Sequence, residues 1–167
     1  GCWVPFNEGW GQFDAKAATA RLRALDPGRL VDEASGWYDQ GGGDVDSRHN
    51  YFYPLRVRPG GRAVALSEYG GIAWPMPGHE PPGRTYGYGT AKDKADLTKR
   101  YKKLQLKTVL PQLKNGLSAL VYTQVSDVED EVNGLFTYDR TALKPDASAV
   151  RSCNAALAAE FARVTAK

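Results

Sequence analysis

Cysteine, histidine and methionine are scarce in this chain: two, two and one among 167 residues. Cys2 and Cys153 stand near opposite ends with no CxxC spacing, which argues against a zinc site or a disulfide framework and leaves the redox compartment open. No apolar run approaches the roughly 18 to 20 residues of a membrane span. The opening Gly-Cys-Trp-Val-Pro-Phe also lacks the charged n-region of a signal peptide. An excess of one charge is missing too: 22 Lys plus Arg face 19 Asp plus Glu, and a net +3 is too small to argue for nucleic acid or a membrane surface as partner. The densest basic stretch, Lys99, Arg100, Lys102, Lys103 and Lys107, falls in a helical pattern and reads as a solvated face. Internal repeats and low-complexity segments are absent from the sequence.

What the chain does have is enough apolar residue, 42% with 11% aromatic, to bury a core, and one globular domain over residues 1–167 is expected. Trp3-Val-Pro-Phe6 reads as a short strand, followed by a turn and a helix from Ala15 that Asp14 can cap, with Ala18, Leu22 and Leu25 as its apolar stripe. Asp26-Pro27-Gly28 ends that helix. Leu30-Val31 with Ala34-Ser35, then Val45 to Tyr53, then Arg62 to Leu66 read as further strands; the three consecutive glycines between Asp39 and Asp44 can only be loop. After a Gly/Pro-rich stretch, Asp93 or Asp96 caps a long helix carrying Leu97, Tyr101, Leu104 and Thr108, which ends between Pro111 and Gly116. Leu117 to Tyr122 is the last strand. Asp146 opens a final helix with the face Val150, Cys153, Leu157, Phe161 and Val164. Strands alternating with helices predict an α/β class with parallel strands and crossover helices.

Two carboxylates follow short apolar strands, Glu8 after Trp3 to Phe6 and Glu68 after Ala63 to Leu66. In a parallel α/β barrel, strand C-termini form the catalytic face. A carboxyl at each of two such positions is the minimum equipment for glycoside hydrolysis, one protonating the leaving oxygen and the other attacking the anomeric carbon or activating water.

The surrounding residues are more specific. Trp3-Val-Pro-Phe-Asn7-Glu8-Gly-Trp10 and Leu66-Ser-Glu68-Tyr-Gly-Gly71 resemble the two signature segments of glycoside hydrolase family 2, the β-galactosidase and β-glucuronidase family. Arg29-Leu-Val with Ala34-Ser-Gly36, Asp44-Val-Asp with His49-Asn-Tyr51, and Val121-Tyr-Thr-Gln124 through Asn133-Gly-Leu to Thr137-Tyr-Asp-Arg140 look like the same family in the same order. The resemblance implies a partial (β/α)8 (TIM) barrel, strands four to eight with their helices, in a retaining hydrolase of β-linked, β-galactoside-type sugars. It makes Glu8 the acid/base and Glu68 the nucleophile. Their oxygens are then expected about 5 to 5.5 Å apart. A general acid must hold its proton near neutral pH, which a partly apolar wall such as Trp10 and the nearby charge of Glu68 would favour.

Under the same resemblance Asn7 donates to the sugar 2-hydroxyl, Trp10 stacks on a sugar face, and His49 and Tyr51 hydrogen-bond Glu68 or the substrate. Tyr122 and Gln124 form the floor of the sugar subsite. No cofactor and no metal are implied; Asp127, Glu129 and Glu131 lack calcium-loop spacing and read as a structural loop. The first three barrel strands have no counterpart here, so residues upstream of Gly1 are expected to belong to the domain. The isolated chain is expected to be inactive and to self-associate or pair with that N-terminal half, because open strand edges seek partners. The alternatives are a cellulase- or mannanase-like barrel and an inactive carbohydrate-interaction module.

Overall fold

The structure is a computed structural model and describes residues 1–52 and 54–166. Tyr53, the expected end of the third strand, lies outside the described residues. The chain is mixed α/β and forms two compact units: residues 1–50, 57–69 and 115–121, and residues 51–56, 70–114 and 122–167.

In the first unit, the strand expected over Trp3–Phe6 is two short ones, β1 (Cys2–Trp3) and β2 (Phe6–Asn7), and the next is likewise β3 (Leu30–Val31) and β4 (Ala34–Ser35). The pairings Cys2 with Leu30, Trp3 with Val31, Phe6 with Ala34 and Asn7 with Ser35 are parallel and keep one constant offset. The four pieces are therefore one parallel pair interrupted in the middle, where Pro5 has no N–H to give to the ladder. Asp32 N donating to Trp3 O at 2.8 Å and Glu8 N donating to Ser35 O at 3.0 Å extend the same pair.

The helix α1 (Ala15–Leu25) makes the crossover between these strands, with Ala15 and Thr19 buried. Asp14 does not cap it as expected; that residue is left-handed at φ 42° and its side chain makes no cap hydrogen bond, a conformation in which the carboxyl cannot reach the free N–H groups. β5 (Val45–Asn50), β6 (Ala63–Gly70) and β7 (Leu117–Thr123) form a three-stranded sheet with β6 in the middle, β5 and β6 parallel. Ala15, Val31, Ala34, Val57, Val64, Ala65, Leu66 and Leu117 make the core of this unit.

The second unit is built on helices. α2 (Lys94–Lys103) is capped by Asp93, whose carboxylate accepts from Asp96 N at 2.8 Å, and α4 (Ala147–Thr165) by Asp146, which accepts from Ala149 N at 2.8 Å. After α2 the chain widens into a π-helical segment, Leu104–Val109, and continues through α3 (Leu110–Leu113), so the helical run ends within the expected stretch from Pro111 to Gly116. A π-turn takes up the proline that a regular helix would reject, since the ring crowds the preceding turn and supplies no N–H. Leu97, Tyr101, Val109, Leu113, Cys153 and Leu157 are buried among these helices, while Phe161, expected on the same face of α4, is exposed.

Candidate functional site

Glu8, His49 and Glu68 meet in the first unit. His49 Nδ1 lies 2.7 Å from Glu8 Oε1 and 3.3 Å from Glu68 Oε2, and each of the three residues offers an atom within 4.8 Å of the other two. The imidazole is fully buried, whereas the carboxylates keep 20% and 33% of their side-chain surface exposed, so one ring nitrogen anchors two groups that still face solvent.

Each side chain is placed by a local device. Glu8 leaves the end of β2 with φ 55°, the left-handed region that is uncommon for a side-chain-bearing residue and is retained at functional sites when the surroundings over-determine it. Here the ladder bond to Ser35 and the turn bond from Trp10 N to Asn7 O, both 3.0 Å, hold it. Glu68 lies inside β6 rather than beyond its end. A register shift places His49 opposite Glu68 while Arg48 stays opposite Leu66, leaving Ser67 as the extra residue of a bulge. The bulge turns two consecutive side chains to one face: Ser67 Oγ meets Ser47 Oγ at 2.6 Å, and Glu68 meets His49. Gly36, at φ 87°, closes against the imidazole so tightly that a Cβ there would lie 2.5 Å from the ring, and Trp37 tilts over the same ring at 6.0 Å.

Glu8 also opens onto a cleft of about 450 Å³ lined by Gly9, Trp10, Gln12, Tyr38 and Gln40. Trp10 is 80% exposed and free to meet a ligand, and Asn7 is exposed beside it. The arrangement places the rings of Trp10 and Tyr38 beside Glu8 and brings two carboxylates to one imidazole nitrogen. These three residues are also the one carboxylate and imidazole group among the described residues compact enough to consider for a metal ion. The 2.7 and 3.3 Å contacts are hydrogen-bond and ion-pair distances, so a shared imidazole N–H accounts for the geometry and we assign no metal to it.

Tyr51, Tyr122 and Gln124 belong to the second unit. Tyr51 stacks on Tyr88 at 3.8 Å and donates to Thr123 Oγ1 at 3.0 Å; Tyr122 packs edge-on against Tyr101. Gln124 Nε2 donates to Glu131 Oε2 and Asn133 Oδ1 at 3.1 and 2.8 Å. The acidic loop after β7 is tied down in the same unit: Asp127 Oδ1 accepts from the buried Lys144 Nζ and from Gly134 N, each at 2.7 Å. Burial pushes the Asp127 carboxyl up and the Lys144 ammonium down from their ordinary values, and their mutual attraction opposes both shifts. His79 pairs with Asp139 at 2.7 Å and approaches Thr141 at 3.3 Å, both through Nδ1, so the ring cannot pass a proton between them.

Ser35, Ser47, Ser67 and Asp32 were not picked out from the sequence as site residues. Ser35 and Ser67 sit within the quoted family-like segments, Ser67 next to Glu68, but a serine on a strand carries no distinguishing pattern of its own. Compared with known proteins, the chain matches no family model and no curated protein.

Proposed function

We propose that this chain is the C-terminal half, strands four to eight, of a (β/α)8 catalytic domain, and that it acts in a retaining glycoside hydrolase of the family 2 kind on β-linked, β-galactoside-type sugars. The observation that carries this reading is the approach of Glu8 and Glu68 to within 4.8 Å around one nitrogen of the His49 imidazole. Carboxyl groups about 5 to 5.5 Å apart leave no room for a water between nucleophile and sugar, whereas inversion needs about 6.5 to 9.5 Å. The β1/β2–α1–β3/β4 crossover with its parallel pairing supports the barrel half of the reading.

In this mechanism Glu68 attacks the anomeric carbon as the bond to the leaving oxygen breaks, and Glu8 gives that oxygen its proton. A water then attacks the glycosyl ester, Glu8 takes the proton from it, and the Glu68 carboxylate is released. The cleft beside Glu8 lies on the leaving-group side, with Trp10 and Tyr38 as stacking surfaces.

A 2-deoxy-2-fluoro-β-glycoside with an activated leaving group tests the assignment. Mass spectrometry should find the sugar on the peptide that carries Glu68, and proton NMR should find product of retained configuration; a label elsewhere, or inverted product, sinks it. The exposure of Trp10, Phe13 and Tyr38, at 80, 72 and 70%, favours a second reading, sugar binding without turnover, which saturable binding of a β-galactoside with no trapped intermediate would select.

A further inference from the structure

The imidazole that joins the two carboxylates is gripped from behind by three consecutive residues. Ser35 Oγ lies 2.9 Å from His49 Nε2, the Gly36 backbone closes against the ring, and the Trp37 ring tilts over it. Hydroxyls continue inward in a line, Ser35 Oγ to Ser67 Oγ at 3.0 Å and Ser67 Oγ to Ser47 Oγ at 2.6 Å, which joins β4, β6 and β5. We propose that Ser35 is a positioning residue: backed by Ser67 and Ser47, it donates into Nε2 and keeps the single proton of the neutral ring on Nδ1, where one N–H serves Glu8 and Glu68 in turn.

The donor inventory sets the direction of the line. An ionised carboxylate only accepts, and a neutral imidazole has one N–H and one lone pair. Nδ1 is the nitrogen that reaches Glu8 at 2.7 Å and Glu68 at 3.3 Å, so the N–H belongs there and Nε2 is left as an acceptor. Its partner Ser35 must then donate. A hydroxyl has one proton to give, so a Ser35 that gives it to Nε2 accepts from Ser67, and Ser67 accepts from Ser47. The Gly36 N–H, 3.4 Å from Ser47 Oγ, donates into the inner end of the same line. The opposite order would send the Ser67 proton to the Arg48 carbonyl oxygen, at 3.4 Å a longer and weaker contact than the 3.0 Å one to Ser35. Neighbouring hydroxyls in such a line polarise one another.

Serine Oγ to Nε2 and Nδ1 to a carboxylate is also the order in which a histidine activates a serine nucleophile. Burial separates the two roles. Ser35 is 6% exposed and the imidazole 0%, so no substrate reaches that hydroxyl, and whatever Ser35 does passes through His49. The catalytic consequence rests on the glycosidase reading. Before reaction Glu68 is the anion and Glu8 holds the proton; in the ester intermediate Glu68 is neutral and Glu8 is the anion. A ring fixed from behind can shift its N–H contact from one carboxylate to the other while the proton stays on Nδ1. The hydroxyl line itself does not rest on that reading.

Nitrogen-15 NMR of the 167-residue chain tests the line. His49 and His79 are the only imidazoles, and the resonances lost in His79→Gln belong to His79. Once the shifts of His49 no longer change with rising pH, Nδ1 should resonate as a protonated nitrogen and Nε2 as an unprotonated one displaced upfield by a hydrogen bond. A protonated Nε2 in that neutral ring overturns the proposal, and this measurement needs no variant at position 35 to fold. Ser35→Ala should move Nε2 downfield to the position of an acceptor without a donor, and Ser35→Thr, which keeps the hydroxyl, should return it; an Nε2 unmoved by the alanine also overturns the proposal. In active protein, Ser35→Ala should lower kcat on aryl glycosides about tenfold with KM unchanged, the scale of one lost hydrogen bond. An unchanged kcat overturns the positioning role. The expected Nε2 shifts in a native protein with no glycosidase turnover support the hydroxyl line and overturn the catalytic reading instead.

Discussion

The two units each contain a tight polar cluster, and the clusters are built to opposite rules. In the second unit, Asp127 and Lys144 are 2% and 0% exposed in their side chains, and Gln124, Glu131 and Asn133 satisfy one another beside them. In the first unit, the Glu8 and Glu68 carboxylates stay partly open, Glu8 is held in a left-handed conformation, and Asp32 keeps a buried oxygen unpartnered. A closed, saturated cluster has nothing left to offer a ligand and so specifies a loop conformation. A cluster left strained, open and incompletely satisfied carries costs that folding alone would remove, which is the mark of a site.

If that contrast is right, the largest effect should come from the open cluster and appear in activity. Glu68→Gln should lower kcat by at least about four orders of magnitude on activated aryl glycosides in active protein, because no other group can form the ester. Its melting temperature should stay near that of the native chain; a comparable loss of stability would place Glu68 among the structural groups.

Next comes the closed cluster, where the loss should be in stability. Asp127→Ala strands a buried ammonium and should cost about 3 to 5 kcal/mol in urea denaturation. The double replacement Asp127→Leu with Lys144→Met should cost clearly less, since it removes both charges together. Equal costs for the single and the double change would show that the pair itself is not what holds the loop.

Asp32→Asn sharpens the comparison in the other direction. Burial raises the Asp32 carboxyl, so its contribution to stability is full below the unfolded value of about 3.9 and is lost as pH rises through the higher folded value. An amide does not suffer that loss. The variant should gain on the native chain as pH rises from 4 to 7. A stability difference that does not grow with pH would mean that Asp32 folds as an ordinary carboxylate.

The smallest expected effect is at Trp10, 80% exposed on the cleft. Trp10→Ala should leave stability within about 0.5 kcal/mol and raise KM for aryl glycosides by about tenfold through lost stacking. An unchanged KM would remove the ring from the proposed leaving-group side.

Much of this was legible before the structure. The caps at Asp93 and Asp146, the helix from Ala15, the strand ending near Thr123 and the candidates Glu8, His49 and Glu68 all follow from patterns spanning a few residues. The failures have physical causes. Pro5 broke one expected strand into two, and the left-handed Asp14 could not cap α1. Each depends on a single residue's backbone conformation, which the average preference of a window does not report.

Residue type, spacing and local conformational preference settled which segments become helix or strand and which carboxylates stand where chemistry is plausible, because those depend on neighbours close along the chain. Only tertiary structure decided that Ser35, Ser47, Ser67 and His49 share one line of hydrogen bonds beneath Glu8 and Glu68. That line needs the parallel register of β2 on β4, and it needs the bulge at Ser67 that turns two successive side chains to the same face. Strict alternation along β6 would have sent one of them to the other side of the sheet.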